Sequence, residues 1–134
     1  MSMFNIFGVS GSAVSAQAQR LNVVASNLAN VDAVAGPDGQ PYKARQVMFQ
    51  SMPGNDPGTA GVRVKTISES NAPARRTLEP FHPSADADGY VTHSNVNPVE
   101  EMVNMISASR SYQNNIEVMN TAKTLMLKTL QMGQ

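Results

Sequence analysis

The sequence predicts a mainly α protein: a helix at each end and, between them, an irregular extended middle with a short β-ribbon. Two observations carry this. All eight prolines fall between Pro37 and Pro98, and six of the nine glycines between Gly36 and Gly89, so residues 1–36 and 99–134 are proline-free. Proline costs a helix interior roughly 3 kcal/mol, so the ends can be helical and most of the middle cannot. Both ends also repeat apolar residues at the spacing of a helix face. The chain divides accordingly into residues 1–34, 35–96 and 97–134.

The first helix is expected from about Ser10 to Val31. Val14, Leu21 and Leu28 recur at seven, with Gln17, Val24 and Val31 three behind each, and Ala18 and Ala25 widen the stripe. Gly8 and Gly11 weaken the segment before it, which leaves a start nearer Phe4 open. Arg20 is the only charged side chain through residue 30; the outer face is Ser12, Ser15, Gln19, Asn22 and Ser26. Amides and hydroxyls that find partners are far cheaper to bury than charges, so this outer face suits packing against neighbours.

The middle begins with a tight turn at Ala35–Pro41, followed by a strand expected over Tyr42–Gln50. Met52–Gly61 reads as a flexible loop and Val62–Ile67 as a second strand alternating with period two. Ser70–Ser94 is expected to be extended, with Pro73, Pro80 and Pro83 blocking regular pairing and Tyr90–Thr92 as a short strand. A ribbon of two or three strands follows, marginal when isolated.

The second helix has the sharpest boundaries. Asn97 is its N-cap, Pro98 its first helical residue, Glu100 completes a capping-box pattern, and Gly133 is the expected stop. Glu100 and Glu101 near the start and Lys123 and Lys128 near the end complement the helix dipole. Met105, Tyr112, Met119 and Met126 recur at seven; Ala108 and Ala122 follow by three, and Met102, Ile116 and Leu130 join the same side. Asn115 falls at a seam position where a polar residue fixes register in coiled coils. A second stripe, Val118, Leu125 and Met132, opens toward the C-terminal half, and one shorter partner helix cannot cover both.

Composition excludes several function classes. Among 134 residues, 41% are hydrophobic and only 15% charged, with a net charge of zero. That balance removes the electrostatic case for nucleic acid or an anionic membrane as partner. Ser, Asn, Gln and Thr make up 40 residues, so polarity rests on neutral groups. With no cysteine there is no disulfide framework, thiolate metal site or cysteine nucleophile. No apolar run reaches the ~18 residues of a membrane helix, and the N-terminus lacks the basic and apolar regions of a secretory signal. His82, Asp86, Asp88 and His93 are the only cluster of ligand types, and Asp-Gly and His-Pro there read as turn chemistry. No metal, cofactor or enzymatic activity is expected.

Three segments resemble a known family. Ser15–Val34, SAQAQRLNVVASNLANVDAV, resembles the N-terminal signature of flagellar rod and hook axial proteins, with Asn27–Asn30 as its Asn-Leu-Ala-Asn core. Ser94–Leu130 is similar to that family's C-terminal helix. Glu79–Val91 and Gly36–Gln50 narrow the match to the proximal-rod members of the flagellar basal-body rod family. Val31-Asp32, where many relatives carry Thr-Pro or Thr-Gly, fits that branch.

The resemblance implies a structural rod subunit whose terminal helices pair as an antiparallel, coiled-coil-like axial domain and pack with neighbours into a helical tube. The tube transmits torque and encloses the export channel. The implied partners are copies of the chain, other proximal rod proteins, the distal rod and the rod–MS-ring adaptor. The implied location is the basal-body rod crossing the periplasm, reached without a cleaved signal. The assembly interface expected on the two helices is Val14, Leu21, Val24, Asn27, Leu28, Asn30, Val31, Met102, Met105, Tyr112, Asn115, Ile116, Met119, Met126 and Leu130. The alternatives are a coiled-coil adaptor of another secretion or adhesion assembly, or a small enzyme using His82 with Asp86 or Asp88; absence from basal bodies would favour the first, and metal analysis with a His82→Ala variant of normal motility would dismiss the second.

Overall fold

The computed structural model describes residues 3–133; Met1, Ser2 and Gln134, at the outer ends of the two terminal segments, lie outside the described residues. The order is α1 (Met3–Ala29), β1 (Arg45–Pro53), β2 (Ala60–Glu69), β3 (Arg76–Leu78), β4 (Tyr90–Thr92) and α2 (Pro98–Met132).

α2 keeps the bounds its local signals dictate. The Asn97 side chain accepts from the backbone N–H of Val99 and Glu100, and proline stands at the first helical position. At the far end Gly133 has φ −82°, which any residue adopts, and its N–H bonds to Thr129 O. The stop therefore does not use the left-handed conformation for which glycine is favoured. α1 differs from expectation at both ends. It runs through Gly8 and Gly11 to Met3, because Ser12 and its neighbours pack on the middle segment and that tertiary support overrides weak local propensity. It closes at Ala29, where the Asn30 N–H is shared between Ser26 O and Asn27 O in a tightened last turn.

The two helices run antiparallel: Asn27 bonds to Glu101, Arg20 to Asn104, and Ile6 shares a groove with Val118, Ala122 and Leu125. Ala16 of α1 and Ala108 and Ala122 of α2 are all buried. α2 has 35 residues against 27 in α1, an excess of roughly 12 Å at 1.5 Å per residue.

The middle forms two separate two-stranded antiparallel sheets, β1–β2 and β3–β4, in place of a single ribbon. β1 starts three residues later than expected because Tyr42–Ala44 are engaged by side chains, described below. It continues to Pro53, leaving a loop over residues 54–59 where a longer one is expected. Register slips between Met48, paired with Thr66, and Phe49, paired with Val64, so Lys65 forms a bulge. β2 is longer than expected at both ends. β3 is a strand where the prolines are expected to block pairing: it fits in the proline-free gap between Pro73 and Pro80 and pairs with β4 in register Arg76↔Thr92, Thr77↔Val91, Leu78↔Tyr90. The expected Ala35–Pro41 turn is present, closed by the Gly39 N–H to Gly36 O.

Candidate assembly interface

The densest polar arrangement joins the end of α1, the start of β1 and the start of α2. Asn27, with no exposed surface, sits at its centre. Its Nδ2 donates to Arg45 O at 2.9 Å and to Glu101 Oε2 at 3.1 Å. Its Oδ1 accepts from Tyr42 OH and from the Arg45 N–H, both at 2.9 Å. An asparagine amide offers two donors and two lone pairs, and all four are used. Burial pushes the Tyr42 phenol above its ordinary 10.0; Glu101 and Glu69 push the same way and Arg45 opposes them. The hydroxyl thus stays protonated as the donor Asn27 needs.

A second asparagine mirrors the first. Asn95 Oδ1 accepts from the Ala44 N–H at 2.6 Å, while its Nδ2 donates to Ser70 O and Ala72 O. Beside it the buried Ser94 donates to Val31 O at 2.7 Å. Asn30 is used locally, donating to Ser26 O one turn back. Among the described residues no buried side-chain polar atom lacks a hydrogen-bond partner.

The apolar residues expected at an interface separate into two groups. Val24 is buried, and Val14, Leu21, Leu28, Val31, Met105, Tyr112, Ile116, Met119 and Met126 are half-buried. Met102 and Leu130, expected on the same side as the seam, are instead 54% and 66% exposed. Asn115 is half-buried, and its Nδ2 donates to Ser111 O of its own helix. It makes no side-chain hydrogen bond to α1. α1's neutral outer face has a neighbour within the chain: Ser12 Oγ accepts from the Val62 N–H of β2, and Ser15 and Gln19 border the same hairpin.

Several contributors escape a reading of the residue pattern. Glu101, buried at 7% exposure, reads as a dipole-complementing residue; continuing the α2 seam one turn back from Met105 lands on it. Tyr42, Ser94 and Asn95 carry no local signal. Val99, Val103 and Ile106, spaced at four and three, are 69%, 60% and 55% exposed. Each is two residues from a seam member, about 200° around the helix, and so on its far side.

The His82–His93 segment is built as turns. Asp86 Oδ1 accepts from the N–H of Asp88 and of Tyr90, its Oδ2 pairs with Arg76 at 2.8 Å, and Gly89 supplies the left-handed φ of 84°. His82 Nδ1 accepts from the Ser84 N–H, and His93 Nε2 meets Thr77 Oγ1 at 3.0 Å. Among the described residues no cluster of three or more His, Cys, Asp or Glu is placed to hold a metal ion, and no helix is long and apolar enough to cross a membrane.

Comparison with known proteins matches both helical ends. Residues 7–37 fit the family described as flagella basal body rod protein, and residues 87–132 fit the C-terminal family of flagellar basal body rod FlgEFG proteins. The chain is 58% identical over 134 residues to the flagellar basal-body rod protein FlgC of Salmonella typhimurium, covering all of both chains. It is 60% identical over 136 residues to that of Yersinia enterocolitica and 40% identical over 136 residues to that of Buchnera aphidicola from Baizongia pistaciae, again with full coverage of both.

Proposed function

The chain belongs to the flagellar basal-body rod protein family, and from that premise we propose how its helices build the rod. It is a structural subunit of the basal body that assembles with other rod components, not an enzyme. In our reading α1 and α2 form an antiparallel, coiled-coil-like axial unit that stacks with neighbouring units into a helical tube around the export channel. The tube crosses the periplasm and carries torque, and the chain reaches it through the flagellar export apparatus without cleavage. Neighbours are copies of the chain, the other proximal rod proteins, the distal rod and the rod–MS-ring adaptor. The two hairpins lie outside the tube or bridge to the next subunit.

One observation carries this reading. α2 is apolar on the side turned toward α1 and again, over its first turns, on the opposite side, where Val99, Val103 and Ile106 are more than half exposed, with the exposed Met102 on the flank between the two. An exposed apolar face on a helix whose other face is occupied needs a neighbour. The proposed interface combines that face and Leu130 with the half-buried seam residues Val14, Leu21, Leu28, Val31, Met105, Tyr112, Asn115, Ile116, Met119 and Met126; Val24, Asn27 and Asn30 support it from within the subunit.

The test is a Val103→Glu variant. An exposed position tolerates the change within about 0.5 kcal/mol, so the purified chain should melt as before while basal bodies from the variant lack the subunit and cells lose motility. Normal rods containing the variant at full occupancy would overturn the assignment, and a cryo-EM map of isolated basal bodies would locate the face directly.

A further inference from the structure

Of the four hydrogen bonds that fill Asn27, three come from Tyr42 and Arg45 in the middle segment and one from Glu101 of α2. The amide itself belongs to α1 and is fully enclosed. Pairing α1 with α2 while Tyr42–Arg45 stands away would leave Asn27 with a single partner. An amide buried without its partners costs far more than one left in water.

We propose that Asn27 makes closure of the two helices conditional on docking of Tyr42–Arg45. The helix pair then does not close stably ahead of the middle segment. Asn27 responds to the coincidence of three parts of the chain that are distant in sequence: α1, residues 42–45 and the first turn of α2. Asn95 reinforces the condition by holding the Ala44 N–H from the α2 side, and Ser94 ties the approach to α2 onto Val31 at the exit from α1. An apolar side chain at position 27 would abolish the dependence, because it needs no partner from the middle.

A hydrogen-exchange cycle on the full chain tests this. Tyr42→Phe removes one donor to Asn27 and leaves the ring. In the unaltered background it should speed exchange of the α2 amides from Glu101 to Met105 roughly tenfold, the effect expected for a buried amide that loses a partner. In an Asn27→Leu background the same change should leave those amides unmoved. Equal acceleration in both backgrounds, or none in the first, overturns the proposal. If Asn27→Leu gives no helical protein, native-state exchange of the unaltered chain decides: the Arg45 amide and the α2 first-turn amides must open with one shared free energy. An Arg45 amide exchanging more than tenfold ahead of them overturns it.

Discussion

Ser12 Oγ on α1 stands 2.9 Å from where a β-carbon on Gly61 of β2 would lie. That hydroxyl donates to Val9 O at 2.7 Å and accepts from the Val62 N–H at 3.1 Å, so it is held on both sides. The hairpin rests on α1 at a point where only a glycine fits.

Gly61→Ala should therefore push β1–β2 away from α1. Overpacking of a held contact costs about 1–3 kcal/mol. Urea unfolding of the variant should show a lower midpoint, with amide exchange faster at Val62 and the following β2 residues. An unchanged midpoint would mean that Ser12 gives way freely.

Gly8 and Gly11 invite the opposite change. A β-carbon at either meets nothing within 4 Å, and both lie inside α1. Replacing either with alanine should stabilise the chain by about 0.5–1 kcal/mol through the unfolded-state entropy glycine carries. The readout is a raised urea midpoint, additive in the double variant.

Proline placed at Asn115 should remove a helical hydrogen bond and clash with the preceding turn, costing about 3 kcal/mol or more. The bend falls midway along α2, between Tyr112 and Met119 of the seam. Proline at Asn55, in the exposed loop between Pro53 and Pro57, should be nearly silent. Thermal melts of the two chains and electron microscopy of basal bodies from each strain make the comparison; normal rods with Asn115→Pro would remove α2 continuity as a requirement.

Acid should open the β3–β4 hairpin first. The Tyr90 N–H above all holds the Asp86 carboxyl below its usual 3.8; desolvation opposes it, and the Arg76 side chain and the Asp88 N–H add to the lowering. A carboxylate whose native value is lowered stabilises the fold above its unfolded value and loses that contribution as pH falls through the native one. Protection of the Tyr90 and Asp88 amides should hold at pH 5 and fall below about pH 3.8, the ordinary value for this group. Asp86→Ala should abolish the dependence by lowering protection at every pH.

How much of this was legible in the residues depends on how far each signal reaches. The start of α2 is written within four positions, Asn97 to Glu100, and the structure places it there. α1's start was not legible, since local propensity argues against helix at Gly8 and Gly11 and the support comes from a hairpin about fifty residues away. The Asn27 junction lay out of reach for the same reason: its partners are 15, 18 and 74 positions distant. Glu101 was within reach, one heptad step before Ala108, but a charge on an apolar stripe at a helix start reads first as dipole complementation. β3 was hidden by counting prolines over the whole segment; the proline-free window from Ala74 to Glu79 decides it.

The junction holding the helices to the middle is joined by amides, hydroxyls and backbone groups, and Glu101 brings the only formal charge among its bonding groups. The two ion pairs found among the described residues, Arg75–Asp32 and Arg76–Asp86, are both solvent-exposed. Raising ionic strength from 0.01 M to 1 M shortens the Debye length from about 30 Å to about 3 Å and weakens contacts of the second kind, while neutral hydrogen bonds buried away from ions are left as they were. The shape of a subunit stitched in this way is set by packing and by neutral hydrogen bonds, and draws little on the salt that bathes it.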